Sequence, residues 1–325
     1  MKNTRLIVIV FLCSALSLFA DKELVPAKAT HEDLVRLERE VTKEASRYLQ
    51  TWYPRAMDHE HGGYWQGFDY KWNRKGDASK NLVNQARHLW MSSTAAMAYP
   101  EQKAFRESAE HGFAFLSNQM VDKVNGGWYW TLDAELSPNG SVGAHKVAYG
   151  LSFGIYACAA YYKLTGDERA KALAIEVFQR LDRASHDAIN GGYYVFMTPD
   201  WQIIYQDDEE SKWCPVSVYP GNKDMNTHIH LLESFTALYG IWPDRKLRLR
   251  TEELLEIMQH KIGVPMGALN QYFTADWKVL PTADSFGHDV ETAFLILETM
   301  EVLGLEDAGK DAFARKLVNH AIRKG

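Results

Sequence analysis

Apolar residues recur at three- and four-residue steps through nine segments of the chain, which is the period of amphipathic helices. These segments are 32–53, 82–99, 104–120, 147–166, 169–186, 225–242, 247–262, 289–304 and 311–324. Between them lie shorter stretches in which glycine is followed by alternating aromatic residues and a polar turn, as in a hairpin. The sequence therefore predicts an all-α fold of nine helices separated by four short hairpins.

The hairpin phrase is repeated along the chain. "GGYWQGFDYKWNRKG" begins at residue 62, "GGWYWTLDAELSPNG" at 126 and "GGYYVFMTPDWQIIY" at 191, with a degenerate copy, "GALNQYFTADWKVLP", at 267. Spacings of 64, 65 and 76 residues indicate a repeated unit of two helices and one hairpin that stacks on its neighbours. Such units close into a toroid of helix pairs, an (α/α) barrel, with the hairpins at one end.

The hairpin aromatics have two possible places. They can line the mouth of the ring, where flat aromatic faces would stack on sugar rings, or each can cap the core. The chain has 10 tryptophans, which suits a carbohydrate site. We expect the Gly-Gly phrase to turn the chain out of a helix and its aromatics to line the mouth.

The length raises a question about closure of the ring. Six helix pairs of roughly 64 residues need about 380 residues, and the chain has 325. We therefore expect either a smaller barrel or an (α/α)6 barrel that lacks its final helices. In the second case an apolar flank stays open and lowers stability.

The N-terminus has the form of a secretory signal peptide. Lys2 and Arg5 precede an apolar run over 6–20, and charged sequence starts at Asp21. The alternative is a retained N-terminal anchor, although this run is shorter than a membrane helix needs. We expect cleavage near Ala20, a mature domain of residues 21–325, and a periplasmic or secreted protein that has no membrane association after cleavage.

Charge and cysteine content exclude several classes of partner. The net charge is −6, and loss of two positive charges with the signal makes it more negative, which disfavours nucleic acid. Cys158 and Cys214 are too few for a disulfide framework. We expect a small carbohydrate as the partner and a monomer or weak dimer.

Polar residues on one face of a helix mark the first candidate site. In "MNTHIHLLES", Asn226, His230 and Glu233 stand at i, i+4 and i+7 and share a face, while His228 points elsewhere. Histidine on a helix is also common as a satisfied core or surface residue. The stripe beside apolar neighbours leaves both interpretations open.

Two further side chains stand among apolar neighbours. Arg87 lies in the helix "LVNQARHLWMSS", where its guanidinium must be paired in a structural ion pair or face a polar cavity. Trp90 follows at i+3. Tyr149 shares a stripe with Phe153, so its hydroxyl reaches either the cavity or the core.

A histidine at a helix start is the candidate base. In "DSFGHDVETAFLILE", Asp284 or Ser285 is the predicted N-cap, so His288 falls in the first turn and Glu291 one turn on. The helix dipole keeps such an imidazole neutral near pH 7, and a nearby carboxylate could orient it. The alternative is a metal site of His288, Glu291 and His230, although no HExxH or cysteine cluster accompanies it.

The chain resembles the N-acylglucosamine 2-epimerase superfamily, and within it the cellobiose and mannobiose 2-epimerases. The motifs that carry the resemblance are "NQARHLW", "YGLSFGIYACAAYYKLTGD", "MNTHIHLLESFTALYGIWPD" and "FGHDVETAFLILE". Together they span the chain from about residue 32 to its end. The resemblance implies an (α/α)6 barrel.

The resemblance also implies roles. Arg87 would bind the oxygens at C1 and C2 of the opened sugar, Tyr149 and Asn226 would line the reducing-end subsite with Trp90, and His230 would assist ring opening. The Asn-x-x-x-His spacing favours the disaccharide enzymes over N-acylglucosamine enzymes.

For the proton transfer itself, the resemblance implies that His288 moves the C2 proton and that Glu291 holds His288. Members of the family carry a third histidine, the partner acid or base, in later helices that this sequence does not match.

Epimerisation at C2 needs an open-chain aldehyde, a base, and a fixed cation for the enediolate. It needs no cofactor or metal, and the sequence has no dinucleotide or phosphate-binding motif. The alternatives are an aldose–ketose isomerase or N-acylglucosamine epimerase of the same superfamily, a glycoside hydrolase with paired carboxylates, and a non-catalytic sugar-binding protein.

Overall fold

The computed structural model of the protein describes residues 30–140, 142–205, 216 and 218–325. The predicted signal peptide lies outside these residues. The described part contains nine α-helices: α1 His31–Trp52, α2 Leu82–Ala98, α3 Lys103–Asn118, α4 Ala148–Thr165, α5 Glu168–Ser185, α6 Met225–Tyr239, α7 Arg245–Ile257, α8 Phe286–Leu303 and α9 Ala308–Lys324. A π-helical turn, Met258–Ile262, extends α7. The nine predicted helices are confirmed.

The helix starts follow from the sequence, because most are capped by a short polar side chain. The cap accepts a hydrogen bond from a first-turn N–H, which otherwise has no partner. The capping residues are Thr30, Asn81, Asp167, Asp224, Asp244 and Asp307.

The helices form an inner and an outer layer. Inner helices α2, α4, α6 and α8 pack side by side in chain order, and outer helices α3, α5, α7 and α9 each pack on the inner helix that precedes them. The end of α1 packs against the C-terminal half of α2. Within the described residues the four inner helices form an arc, as the predicted fold of helix pairs requires. None of the helices described has both the length and the hydropathy to span a membrane.

Short antiparallel strands tie one repeat to the next. β1 (Lys80–Asn81) pairs with β2 (Thr131–Leu132), and β3 (Lys146–Val147) pairs with β4 (Phe196–Met197). β5 (Lys223–Asp224) pairs with β6 (Tyr272–Phe273), which also pairs with β7 (Val279–Leu280). Since β1, β3 and β5 each run directly into an inner helix, the hairpins lie at the N-terminal ends of the inner helices.

A buried ion pair recurs in three repeats. An aspartate four residues before the Gly-Gly phrase binds a lysine two residues before the next inner helix, and an aromatic ring lies about 5 Å from each ammonium nitrogen. All six charged side chains are buried. The pairs are Asp58–Lys80 at 2.6 Å, Asp122–Lys146 at 2.7 Å and Asp187–Lys223 at 2.7 Å.

The second glycine of the phrase is needed for close packing as well as for the turn. Gly127 and Gly192 have φ of 67° and 74°. A Cβ on either would lie 2.6 Å from the indole ring of Trp201 or Trp277, each from the following hairpin. The indole N–H groups donate to the backbone oxygens of the preceding turn at 3.0 Å. The third and fourth hairpins are therefore each packed and hydrogen-bonded onto the turn before them.

We expected the aromatic residues of the Gly-Gly phrase to line the mouth of the ring. This expectation is wrong for the aromatic residue that directly follows the second glycine in the first three copies. Tyr64, Trp128 and Tyr193 are each 0% exposed. Since side chains alternate along an extended segment, the residue after the second glycine points into the core. The residues that follow, Trp65 in the first copy and its equivalents, cover the buried lysines.

Candidate active site

The sixth residue of each inner helix contributes to one layer of side chains. These residues are Arg87, Phe153, His230 and Glu291. The guanidinium carbon of Arg87 lies 4.2 Å from the centre of the Phe153 ring, which is 4.5 Å from the His230 ring. Glu291 interacts electrostatically with His230 and Arg87. The barrel thus gathers residues from four helices that are distant in sequence.

Arg87 has no structural ion pair within 4 Å among the described residues. Its charge instead lowers the pKa values of Glu233 and Glu291, which burial raises. An arginine held against an aromatic face and near two buried carboxyls keeps its five N–H donors for a ligand. Of the two interpretations open for Arg87, the described residues do not provide the structural ion pair, and a polar cavity at Arg87 stays a prediction.

Tyr149 lies at the edge of this layer and contacts two of its members. Its ring centre is 5.1 Å from that of Phe153 and 5.5 Å from that of His230, both edge to face. Tyr149 is half-buried. The position fits the predicted contact with the reducing-end subsite, which stays a prediction.

His230 is paired with Glu233, one turn further along α6. Nδ1 of His230 lies 2.9 Å from Oε2 of Glu233. Burial lowers the pKa of His230 to about 3 and raises the pKa of Glu233 to about 7. Both shifts disfavour charge, so the pair shares one proton and is uncharged up to about neutral pH. Such a pair can pass a proton to or from a bound hydroxyl.

Trp90 is connected to this pair through Tyr156. Its ring stacks on Tyr156 with the centres 5.1 Å apart, and Tyr156 interacts with Glu233 through a side-chain hydrogen bond. Trp90 is only 9% exposed. One ring face is therefore covered, and the predicted sugar contact of Trp90 stays a prediction.

His288 lies in the first turn of α8, whose N-cap is Ser285, as predicted. The expectation that Glu291 holds His288 is corrected by the structure. Nδ1 of His288 lies 2.6 Å from Oγ of Ser285, whereas the carboxyl of Glu291 faces the charges of His230, Glu233 and Arg87. Ser285 and Glu291 are each three residues from His288, and it is the Ser285 hydroxyl that takes the bond to Nδ1, while Glu291 interacts with charged groups of other inner helices. Burial lowers the pKa of His288, which keeps it neutral at pH 7.

Asn226 and His288 line the same cavity of about 150 Å³, at the hairpin end of α6 and α8. The side-chain oxygen of Asn226 has no hydrogen-bond partner among the described residues. His288 also acts electrostatically on His230. The predicted residues at the helix starts, Asn226 and His288, therefore lie next to the layer that contains Arg87 and His230.

His228 is separate from this site, as expected. Its Nδ1–H donates to the backbone oxygen of Asp224 at 2.6 Å, and its Nε2 accepts from the N–H of Tyr193 at 3.0 Å. Both ring nitrogens are used, Nδ1 by the start of α6 and Nε2 by the third Gly-Gly phrase. In the part of the chain that is described, no group of three histidine, cysteine or carboxylate side chains is arranged to hold a metal ion.

Sequence reasoning missed Tyr156 and Ser285 as members of the site. The signal for Tyr156 was its register, because Trp90, Tyr156 and Glu233 are each the ninth residue of an inner helix. The signal for Ser285 was its place as N-cap three residues before His288. Both signals need the repeat to be aligned on the helix starts.

The raised pKa of Glu233 predicts a pH-dependent cost to stability. The folded-state pKa of about 7 exceeds the ordinary 4.5, so folding is progressively opposed as pH rises from about 4.5 through 7. We expect Glu233→Gln, which keeps an acceptor for His230, to exceed the wild type in unfolding free energy at pH 8 by at most about 3 kcal/mol. The difference should vanish near pH 4.5. Urea unfolding across this range measures it.

The matched control is Glu110→Gln, because Glu110 is half exposed on α3. It should show no such pH-dependent gain. Equal unfolding free energies of the wild type and Glu233→Gln at pH 8 would contradict this prediction, because ionisation of the buried carboxyl would then not oppose folding.

Comparison with known proteins identifies relatives of the chain. Residues 62–325 match the family model described as N-acylglucosamine 2-epimerase (GlcNAc 2-epimerase). A cellobiose 2-epimerase from Bacteroides fragilis is 31% identical over 277 residues, covering 84% of this chain and 67% of the relative. A D-mannose isomerase from Thermobifida fusca is 24% identical, covering 76% of this chain and 59% of the relative.

A solved structure is also similar to the chain. The cellobiose 2-epimerase from Spirochaeta thermophila DSM 6192 superposes with a TM-score of 0.77 at 29% identity, covering 87% of this chain and 69% of that one. The predicted fold class and resemblance are confirmed. The chain belongs to the N-acylglucosamine 2-epimerase family and is an isomerase, a sugar epimerase of this superfamily.

Proposed function

We propose that the protein inverts C2 of the reducing-end sugar of a β-1,4-linked disaccharide, interconverting the glucose and mannose configurations. The observation that carries the proposal is the meeting of Arg87, the His230–Glu233 pair and His288 at one end of the inner helices. The similarity to cellobiose 2-epimerases supports this choice of substrate.

The first step is ring opening, because only the open-chain aldehyde makes the C2 proton acidic. Opening removes a proton from the anomeric hydroxyl and returns one to the ring oxygen. The pair of His230 and Glu233 shares one mobile proton in a buried setting. We assign general acid–base catalysis of this step to the pair.

We assign to His288 the removal of the C2 proton. When its Nδ1–H donates to Ser285 Oγ, Nε2 carries the lone pair. A neutral imidazole in a fixed tautomer is the species that a general base requires. Ser285 is thus a positioning residue, since it acts on the substrate only through His288.

We assign to Arg87 the stabilisation of the negative charge of the enediolate. The two oxygens at C1 and C2 lie in one plane after proton removal, and a planar guanidinium can donate to both at once. A cation already held over Phe153 needs little reorganisation when that charge appears. The proton then returns to the opposite face of C2, a step that the family resemblance gives to another histidine.

An aldose–ketose isomerase is the second candidate, supported by the D-mannose isomerase relative. It uses the same enediolate and differs in whether the proton returns to C1 or to C2. The carbon, C1 or C2, to which an acid of the site delivers the proton therefore decides between the two activities.

Proton NMR of the products in heavy water tests the proposal. Cellobiose, mannobiose, mannose and N-acetylglucosamine are each incubated with the protein. We expect the 2-epimer of the disaccharides, with solvent deuterium at C2. A ketose product would favour the isomerase. Retention of the C2 proton after many turnovers, or turnover of N-acetylglucosamine alone, would contradict the proposal.

A further inference from the structure

A buried carboxylate follows directly after the proposed base in the chain. Asp289 is 1% exposed and lies in the first turn of α8. Its Oδ2 accepts a hydrogen bond from Nδ1–H of His320 at 2.9 Å, whereas the neighbouring His288 lines the cavity. None of the catalytic steps proposed above uses Asp289 or His320.

His320 belongs to the outer helix α9 and lies near its C-terminal end. It is 8% exposed, and its ring centre is 5.4 Å from that of Phe286, the first residue of α8. A Cβ on Gly325 would lie 3.1 Å from the same phenyl ring. The end of α9 therefore packs on the start of α8, and the Asp289–His320 bond joins the two.

Two hydrogen bonds hold the part of α8 that carries the proposed base. One joins His288 to the N-cap Ser285 at 2.6 Å, and the other anchors Asp289 to α9 at 2.9 Å. Residues of one helical turn move together, because the backbone hydrogen bonds of the helix link them. The anchor on Asp289 therefore limits movement of the His288 imidazole. A misplacement of about 1 Å can cost about 10²-fold in rate.

The negative charge of Asp289 also acts on His288. Burial lowers the pKa of His288, and the charge of Asp289 raises it. Burial raises the pKa of Asp289, and the hydrogen bond from His320 lowers it, so His320 helps to keep Asp289 ionised. Asp284, in the segment before α8, is the other carboxyl that acts on Asp289. On the side of α6, His230 faces the charge of His288.

We propose that Asp289 and His320 are positioning residues for His288: their hydrogen bond fixes the first turn of α8 on α9 and holds a negative charge beside the imidazole. The role of His288 as the base rests on the proposed function. The hydrogen bond, its burial and its place one residue from His288 do not depend on that function.

Three variants separate the hydrogen bond from the space and the charge. In His320→Phe a ring stays against Phe286 but donates no hydrogen bond, so burial favours the protonated form of Asp289. In His320→Asn the amide N–H₂ takes about the place of the imidazole Nδ1–H and can still donate to Asp289. Asp289→Asn keeps an acceptor oxygen for His320 and removes the negative charge.

The matched control is Lys310→Met, at the opposite end of α9. Lys310 is 7% exposed and donates to Glu256 of α7 at 2.6 Å and to Asp307 at 2.9 Å. Its loss removes a largely buried anchor of the same helix, away from the first turn of α8. Lys310→Met should therefore lower the unfolding temperature and leave His288 unaffected.

The first measurement is an NMR titration of His288 in protein that contains isotope-labelled histidine. Its resonance is the one absent from the spectrum of His288→Ala. We expect His288 to titrate at lower pH in Asp289→Asn and His320→Phe than in the wild type, because a less negative neighbour favours the imidazolium less. The acid limb of the pH profile of kcat/KM for cellobiose should move in the same direction.

The second measurement is kcat, with the unfolding temperature of each variant. His320→Phe should lower kcat about 10- to 100-fold and leave KM within twofold of the wild type. His320→Asn should keep most of the wild-type kcat, because the hydrogen bond remains. Lys310→Met should match the wild type in kcat and in the titration of His288.

An unchanged titration of His288 in both Asp289→Asn and His320→Phe would overturn the inference. So would a kcat for His320→Asn as low as that for His320→Phe, or an equal loss of kcat in Lys310→Met, which indicates support of the fold alone. Failure of the proposed function has a different signature, because the wild type would then form no epimer while both variants still shifted the titration of His288.

Discussion

His288→Ala should lower turnover of cellobiose by about 10²–10⁴-fold, which is the usual contribution of a general base. His288 is half-buried, and Nδ1 of its ring hydrogen-bonds to Ser285. Its removal should therefore leave the fold intact. The measurement is kcat, together with the rate at which solvent deuterium enters C2. Both should fall together, because both depend on removal of the same proton.

The control for this variant is His260→Ala. His260 lies in the π-helical turn after α7, is largely exposed, and pairs with Glu256 at 3.3 Å. Its removal should leave both rates unchanged. If His288→Ala kept full exchange at C2 while His260→Ala behaved as expected, His288 would not be the base.

Lys146→Met should lower the free energy of unfolding by about 3–5 kcal/mol, the range measured when one partner of a buried ion pair is removed. The ammonium of Lys146 is 0% exposed and binds Asp122 at 2.7 Å. Methionine fills a similar volume but leaves the Asp122 carboxylate buried without its counter-charge. Urea unfolding followed by far-UV circular dichroism measures the loss.

Arg106→Met is the matched control, because Arg106 pairs with Glu110 on the exposed face of α3. Removing an exposed pair should cost no more than about 1 kcal/mol. A loss for Lys146→Met as small as that of the control would show that the buried pair is not a main support of the hairpin end. A double variant, Asp122→Asn with Lys146→Met, should recover part of the loss, because no unpaired charge remains and the amide oxygen can still accept from the turn N–H groups of Val124 and Asn125.

The three buried pairs also explain why the hairpins hold the site in place. Each joins the turn after α1, α3 or α5 to the two-residue strand that runs into the next inner helix. Asn226 and His288 stand in the first turn of inner helices, so their positions depend on how those turns are anchored. The fourth copy of the phrase has Gly263 where the others have aspartate. The N-cap of α8 is Ser285, which binds His288.

The sequence by itself determined the helices, the repeat and the faces on which polar residues stand. Helical periodicity is a property of neighbours three and four residues apart, so the nine helices were predicted to within about three residues at most ends. For the same reason Asn226, His230 and Glu233 could be placed on one face, and Ser285 at a helix start. These inferences need no knowledge of what the helices pack against.

Only the tertiary structure decided which polar groups meet. The Asp–Lys pairs join residues 22, 24 and 36 positions apart, and Arg87 reaches the site from a different helix than His230 or Glu291. A spacing of three residues allowed Glu291 to contact His288, yet the packing of inner helices turned it towards His230 instead. Alternating aromatics predicted a hairpin but not which face was buried. Contacts between elements depend on their relative placement, which packing sets and local spacing does not contain.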